Sequence, residues 1–425
     1  MATYNLIWTL DYEIHGNGDG NPLELMVEPT YRLMNLLEKY HQRLTIMADV
    51  AEILRFKRYA EEAGRDDYHV AEIEEQLREA IRRGHDVQLH IHSSYFNSQY
   101  KNGAFDQCIE EYNMAALPIE RIDEMVGQCV AYLEQLLRPI KKDYKVWLFR
   151  AANWSMMPTE NLYRVLVKYG ITHDTSVFKG GVQGGNVCYD YREAYDNLFA
   201  YPASMKNINE RDEKGQLTEL PIYTEMRPLW DFISPIRIFR MVRAKFHRHK
   251  KYINHDKPAE GAININKEEI KNAHSTPAMP DGPRSLERNH LQAPTSELAA
   301  PVDANTPNLL PDEQHVECSQ KCVSLTKNDK NVLAEMQKSA NKDDNRHVTW
   351  RSVFRLSPMK MDFNQVSARG LRRMMRNAMK RIRGLEIRGL GDERVSVVLI
   401  GHSKTFVPYN EVTLEPFLKW VSKES

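Results

Sequence analysis

Short apolar runs alternate with helical patterning along most of this chain, and that alternation restricts its fold more than any other feature. Asn5–Leu10, Leu44–Ala48, Val87–Ile91, Val146–Phe149 and Val395–Ile400 read as strands. Helical spacing fills the intervals. Pro29–Tyr40 sets Leu33, Leu36, Leu37 and Tyr40 on one side, and Val50–Ala60 follows a capping Asp49. Ala71–Arg83 stops at Gly84, Ile119–Leu137 precedes Pro139, and Pro158–Tyr169 ends at Gly170. Ile171–His173, Leu198–Tyr201 and Leu217–Ile222 read as further short strands, Ala368–Arg383 and Glu415–Val421 as helices. Strands separated by helices belong in a mostly parallel sheet, because parallel neighbours need a crossover. The expected class is α/β, closed as a barrel or open as a doubly wound sheet. The first strand runs into Asp11-Tyr12-Glu13 rather than a glycine fingerprint. Gly16, Gly18 and Gly20 come too late to open a helix and read as a turn, which argues against a dinucleotide site.

Composition divides the chain. Between Ile253 and Val348 there is no Phe, Trp or Tyr, and eight of the 20 prolines fall there. Such a stretch buries too little apolar area to offset its ordering entropy. Residues 251–347 are therefore expected to be a low-complexity, disordered insertion with a short helix near Val332–Lys338. The flanking parts, 1–250 and 348–425, are expected to build one barrel. Cys318 and Cys322 lie in the insertion without a second pair to complete a metal site. The 5 cysteines make no disulfide framework and fit a reducing, cytoplasmic setting. Lys plus Arg and Asp plus Glu are both 58, so no global charge draws the chain to nucleic acid. No uncharged run approaches the roughly 20 residues of a membrane span. The first residues lack a basic region, and no secretory signal is expected. Ile236–Tyr252 reads as a basic amphipathic helix, either touching an anionic membrane or phosphorylated sugar carrier, or solvated on the barrel. Leu371–Arg388 is also basic, and its stripe of Leu371, Met374, Met375 and Met379 is assigned to the core.

Polar residues collect at the strand ends. Asp11 and Glu13 follow the first strand, Asp49 the second, His90 and His92 the third and Arg150 the fourth. Asp174 follows the next, and His402 the last. In parallel α/β sheets these ends open on one face, where the chemistry sits. Asp49 alone is explained by capping; the whole set points to an active site. Glu13, His90 and His92 are oxygen and nitrogen donors suited to zinc or a similar divalent ion. Asp11 can serve as a base, His402 as a general acid, and Arg150 can hold a carboxylate ionised. His90 and His92 read equally well as buried imidazoles satisfied by backbone, and His402 as a loop histidine.

Five segments in order resemble the motif series of the NodB-homology polysaccharide deacetylases, carbohydrate esterase family 4. They are Thr9-Leu10-Asp11-Tyr12-Glu13, then Gly84-His85-Asp86-Val87-Gln88-Leu89-His90-Ile91-His92, then Phe149-Arg150-Ala151-Ala152-Asn153-Trp154. Asp174-Thr175-Ser176-Val177 and Leu399-Ile400-Gly401-His402 complete the series. The series looks most like a divergent cytoplasmic branch associated with surface-polysaccharide gene clusters, and covers 1–235 and 349–425. The resemblance implies a distorted (β/α) barrel of seven or eight strands, a divalent metal with zinc first, and hydrolysis of a sugar N-acetyl group. It implies Asp11 as base, Arg150 as its positioning partner, and His402 as the acid, oriented by Asp174. It implies Glu13 and His90 as metal ligands. The family's second histidine falls at Ser94 here, so His92 is taken as its replacement. Trp154, Tyr12 and Asn153 are expected to line the sugar groove. The implied substrate is a carbohydrate, lipid- or nucleotide-linked, with no nucleic acid partner and peripheral membrane contact through 236–252. The alternatives are hydrolysis of a non-sugar amide, or a non-catalytic sugar-binding or assembly protein on the same scaffold.

Overall fold

Strand β1, Tyr4–Tyr12, is buried along its C-terminal half. The computed structural model describes residues 4–14, 16, 18–228, 231, 356–386 and 395–424. The insertion expected at 251–347, its short helix and the basic segment 236–252 lie outside the described residues.

The strands that follow β1 are β2 (Leu44–Asp49), β3 (Asp86–Ile91), β4 (Leu148–Ala151), β5 (His173–Asp174), β6 (Thr218–Glu219) and β7 (Val395–His402). They hydrogen-bond in the order β6-β5-β4-β3-β2-β1-β7 within an eight-stranded sheet. All these neighbours are parallel; the eighth strand, Tyr201–Pro202, lies antiparallel beside β6. The sheet curls until its ends meet. Ile222, just beyond β6, bridges Val398 of β7 in parallel, and Asp362 bridges Ile400 one step further along. The chain is a distorted α/β barrel: the alternation of elements predicts the α/β class and leaves the closure open, and the barrel is the closure the resemblance implies.

Helices α1 (Glu28–Glu38), α2 (Val50–Ala63), α3 (Val70–Arg82), α4 (Ile119–Leu137) and α5 (Thr159–Lys168) follow strands or pair between them. Asp49 caps α2 by accepting from the Glu52 amide at 3.4 Å. Gly64 ends α2 in the left-handed region at φ 65°, where a side chain would strain the turn. In α6 (Ala368–Glu386), Leu371, Met374, Met375 and Met379 are buried and supply the expected core stripe. Helix α7 (Pro408–Glu424) starts seven residues before the expected Glu415. Pro416 is accommodated inside α7 with its side chain exposed, so it marks no helix boundary there.

The strands are buried on both faces. Inward side chains fill the barrel, while outward ones such as Leu10 and Tyr12 pack under helices. Register then decides which polar groups meet. Asp11 pairs with His402, Asp49 with His90, His90 with Arg150, and Asp174 with Glu219. Asp11, Asp49, His90, Arg150 and His402 thus come together near the C-terminal end of the barrel, whereas Asp174 is in register with Phe149 and not with Arg150.

Candidate active site

Asp11 leaves β1 facing the barrel axis, and Arg150 reaches it from β4. The guanidinium donates to Asp11 Oδ1 at 2.5 Å, to Thr9 Oγ1 at 2.8 Å and to the Thr175 carbonyl at 2.9 Å. Arg150 is wholly buried. Burial pushes the Asp11 carboxyl up, but the charges of Arg150, His402 and His90 outweigh it and hold the group below the usual carboxylate range. His402 Nε2 lies 3.4 Å from Asp11 Oδ2, and 16% of the His402 side chain stays exposed, enough to meet a ligand. Burial lowers the His402 pKa against the opposing pull of Asp11, Glu13 and Asp362, so its resting form is the neutral imidazole. Gly401 is required before it: a Cβ there would collide with Asn364 and Phe363.

Glu13, two residues after Asp11, faces the same way. Its Oε2 lies 3.5 Å from His90 Nε2 and 3.2 Å from His92 Nδ1. The His90 ring donates from Nδ1 to the Arg150 carbonyl at 2.8 Å, which leaves Nε2 turned to the cluster. His92 is fixed by Asp49, whose Oδ1 accepts from the His92 amide at 3.1 Å and whose Oδ2 lies 2.8 Å from Nδ1. The two rings are 4.8 Å apart and nearly perpendicular. Glu13, His90 and His92 are all buried and bring one donor atom each within 4.8 Å of one another. Burial disfavours a His90 cation, yet Glu13, Asp11 and Asp49 raise its pKa to about 9. The cluster therefore attracts positive charge. One carboxylate and two imidazoles are a donor set that fits a divalent ion such as zinc; His90 is anchored through Nδ1 with Nε2 on the cluster, whereas in His92 the same Nδ1 meets both Asp49 and Glu13.

Three sequence expectations need correction. Tyr12 does not line the groove: strand alternation turns it to the outer face, where its hydroxyl donates to Gln76 of α3 at 2.7 Å. Asp174 does not orient His402. It accepts from the Ser176 hydroxyl at 2.7 Å and the Ser176 amide at 3.1 Å, and it lies beside Glu219 behind Arg150. Burial raises the Asp174 pKa, and burial followed by the Asp174 charge raises that of Glu219, so this pair retains a proton. Asp49 is more than a helix cap, because it also fixes His92.

Trp154 lies beside His402. Its ring meets His402 edge-on at 6.1 Å and Phe178 at 5.7 Å, and the Lys360 ammonium lies over it at 3.1 Å. Asn153 and Trp154 both adopt positive φ, at 51° and 60°, which turns this corner sharply out of β4. Asn153 Nδ2 is buried and has no hydrogen-bond partner among the described residues. Ser94 falls in the short turn after β3 and donates to Gln107 Oε1 at 2.9 Å, not to the cluster. Lys404, two residues beyond His402, donates to Glu13 Oε1 at 2.8 Å, and Glu52 lies beneath the site. Burial, with Asp49 and Glu13, raises Glu52 to about 8, and it accepts from the Ile14 amide and the Tyr95 hydroxyl. Lys404, Lys360, Glu52 and Glu219 are functional neighbours that the sequence did not single out. Only Glu52 carried a local signal, the Asp49-x-x-Glu52 spacing of a helix start.

No protein-family model and no curated protein matches the sequence. Among solved structures, a protein assigned as a polysaccharide deacetylase from Mycobacterium smegmatis is 11% identical, with a TM-score of 0.37 over 99% of this chain and 84% of that one. The family 4 carbohydrate esterase of Streptomyces lividans, solved with acetate, is 17% identical, with a TM-score of 0.25 over 41% of this chain and 62% of that one. A protein assigned as a glycoside hydrolase/deacetylase from Parabacteroides distasonis is 15% identical, with a TM-score of 0.32 over 52% of this chain and 46% of that one. This chain thus spans less than two thirds of the second and third. At these identities and TM-scores, the functional reading rests on the site itself.

Proposed function

We propose that this chain hydrolyses the N-acetyl group of a carbohydrate with the help of a divalent metal ion. The observation that carries this reading is the Asp11–Arg150–His402 arrangement beside the buried Glu13–His90–His92 donors. Glu13, His90 and His92 would hold the ion, which would polarise the acyl oxygen and make water more acidic. Asp11, kept ionised by Arg150, takes a proton from the attacking water. His402 is neutral at rest and 3.4 Å from Asp11, so it can receive that proton and deliver it to the amine nitrogen as the C–N bond breaks. Acetate and a free amine leave. Trp154, with Lys360 over its ring, would line the sugar groove beside His402, and Asn153 Nδ2 would supply a donor at its edge.

The substrate suggested by the motif series is an N-acetylated unit of a surface polysaccharide, lipid- or nucleotide-linked and processed in the cytoplasm. No described helix is long and apolar enough to cross a membrane. The deciding experiment incubates the full chain with N-acetylated oligosaccharides and measures released acetate alongside bound metal. Acetate release that stops on chelation and returns with zinc supports the proposal. Carbohydrate binding without metal or acetate release would favour the non-catalytic reading, to which the turned-away Ser94 lends weight.

A further inference from the structure

The two oxygens of the Glu13 carboxylate are engaged in different directions. Oε2 faces the His90 and His92 rings. Oε1 accepts from the Lys404 ammonium at 2.8 Å. Lys404 is held in place by its own turn: the Ser403 hydroxyl lies 3.3 Å from both the Glu13 amide and the Glu13 carbonyl, tying the end of β7 to the end of β1. The carboxylate is buried, while the ammonium keeps 23% of its side chain exposed.

We propose that Lys404 sets the cation affinity of the Glu13–His90–His92 centre and holds it down. This rests on the metal reading above. Two effects act in the same direction. Lys404 occupies one Glu13 oxygen, so the carboxylate offers only the other to an ion. It also places a fixed positive charge on the carboxylate that would ligate a dication, in a buried setting where like charges repel more strongly than in water. A donor set of two imidazoles and one carboxylate would otherwise bind zinc tightly. With Lys404 in place, loading of the site responds to the free-ion level.

The test measures Zn²⁺ affinity of the chelator-treated full chain by competition with a chromophoric chelator. Lys404→Met should bind Zn²⁺ about tenfold more tightly or better, the scale expected for removing one like charge near a buried ion. Lys404→Arg, which keeps the charge, should stay close to wild type. A purely structural role for Lys404 would not tighten binding. Thermal melts of the chelator-treated proteins add a second readout. Lys404→Met should melt lower because buried Glu13 loses one of its two positive neighbours, and adding Glu13→Gln should remove part of that deficit. Lys404→Gln serves if the Met variant fails to fold. Zn²⁺ binding by wild type with equal or weaker binding by Lys404→Met overturns the proposal alone. Absence of Zn²⁺ binding in both proteins overturns the metal reading and this proposal with it.

Discussion

Arg150 spans the barrel to grip Asp11, its guanidinium 2.5 Å from Oδ1, and both side chains are removed from water. A pair buried this way is costly to break from one side, because the survivor keeps its charge without a partner. Arg150→Met should therefore destabilise the fold by about 3–5 kcal/mol in urea unfolding. Arg150→Lys should recover little, since an ammonium cannot reproduce the planar fork shared among Asp11, Thr9 and Thr175. Adding Asp11→Asn to Arg150→Met should restore part of the loss. Near-wild-type stability of Arg150→Met would show that the pair matters less to the fold than its burial indicates.

A second prediction concerns pH and lies away from the cluster. His85 Nδ1 accepts the Leu44 amide at 2.9 Å, and its Nε2 lies 2.8 Å from Glu38 Oε1. The ring is thus neutral, with its proton on Nε2. Burial lowers its pKa below 6.5, although Glu38 pulls the other way. The unfolded chain takes up this proton first as pH falls, so protonation favours unfolding. The His85 contribution is fully present above pH 6.5 and declines as pH drops through 6.5 toward the lowered value. His85→Gln keeps an acceptor and a donor but does not titrate. Its unfolding free energy should fall less steeply than wild type between pH 7.5 and 5.5. Parallel slopes for the two proteins would rule His85 out as the source.

A third prediction separates metal ligation from catalysis. His90→Ala should lose bound metal and acetate release together. Asp11→Asn should keep the metal and lose turnover, because Asp11 acts as base and not as a ligand in the proposed scheme. His92→Ala is the informative variant, since the proposal takes His92 in place of the second histidine that the resemblance would put at Ser94. Asp49→Asn should weaken metal binding by about 10–100-fold, the usual effect of removing the group that orients a ligating imidazole. Metal content by elemental analysis, unchanged in His92→Ala, would remove His92 from the ligand set.

The placement of Asp11, Glu13, His90, His92, Arg150 and His402 was legible because each ends an apolar run, and parallel strands present such ends together. Closure was legible in outline only. Ile222 and Asp362 complete the barrel through single bridges, and no local pattern marks a lone bridge. Tyr12 was misplaced because a motif read as a block ignores the two-residue alternation that sends Tyr12 outward between Asp11 and Glu13. Asp174 and Glu219 are 45 residues apart in sequence but adjacent in register, so the pairing that draws Asp174 away from His402 could not be read from either residue. Lys404 was hidden for a similar reason. Its partner Glu13 lies at the other end of the chain, and a lysine after a strand ordinarily reads as solvated.

His402 offers the sharpest test of the proposed chemistry. Its imidazole is close to Asp11, met edge-on by Trp154 and partly open to a ligand, and among the described residues it makes no hydrogen bond to Glu13, His90 or His92. His402→Gln preserves polarity and approximate volume but cannot carry a proton to the leaving amine. Metal content should therefore match wild type, and acetate release should slow by about 10²–10⁴-fold, the worth of a positioned acid. The loss should appear in kcat, because proton delivery matters only as the C–N bond breaks. It should also depend on the leaving group. An activated acetate ester, whose leaving oxygen needs little protonation, should lose much less rate than an N-acetyl sugar in the same variant. Equal losses on ester and amide would show that His402 positions the substrate and does not protonate the nitrogen.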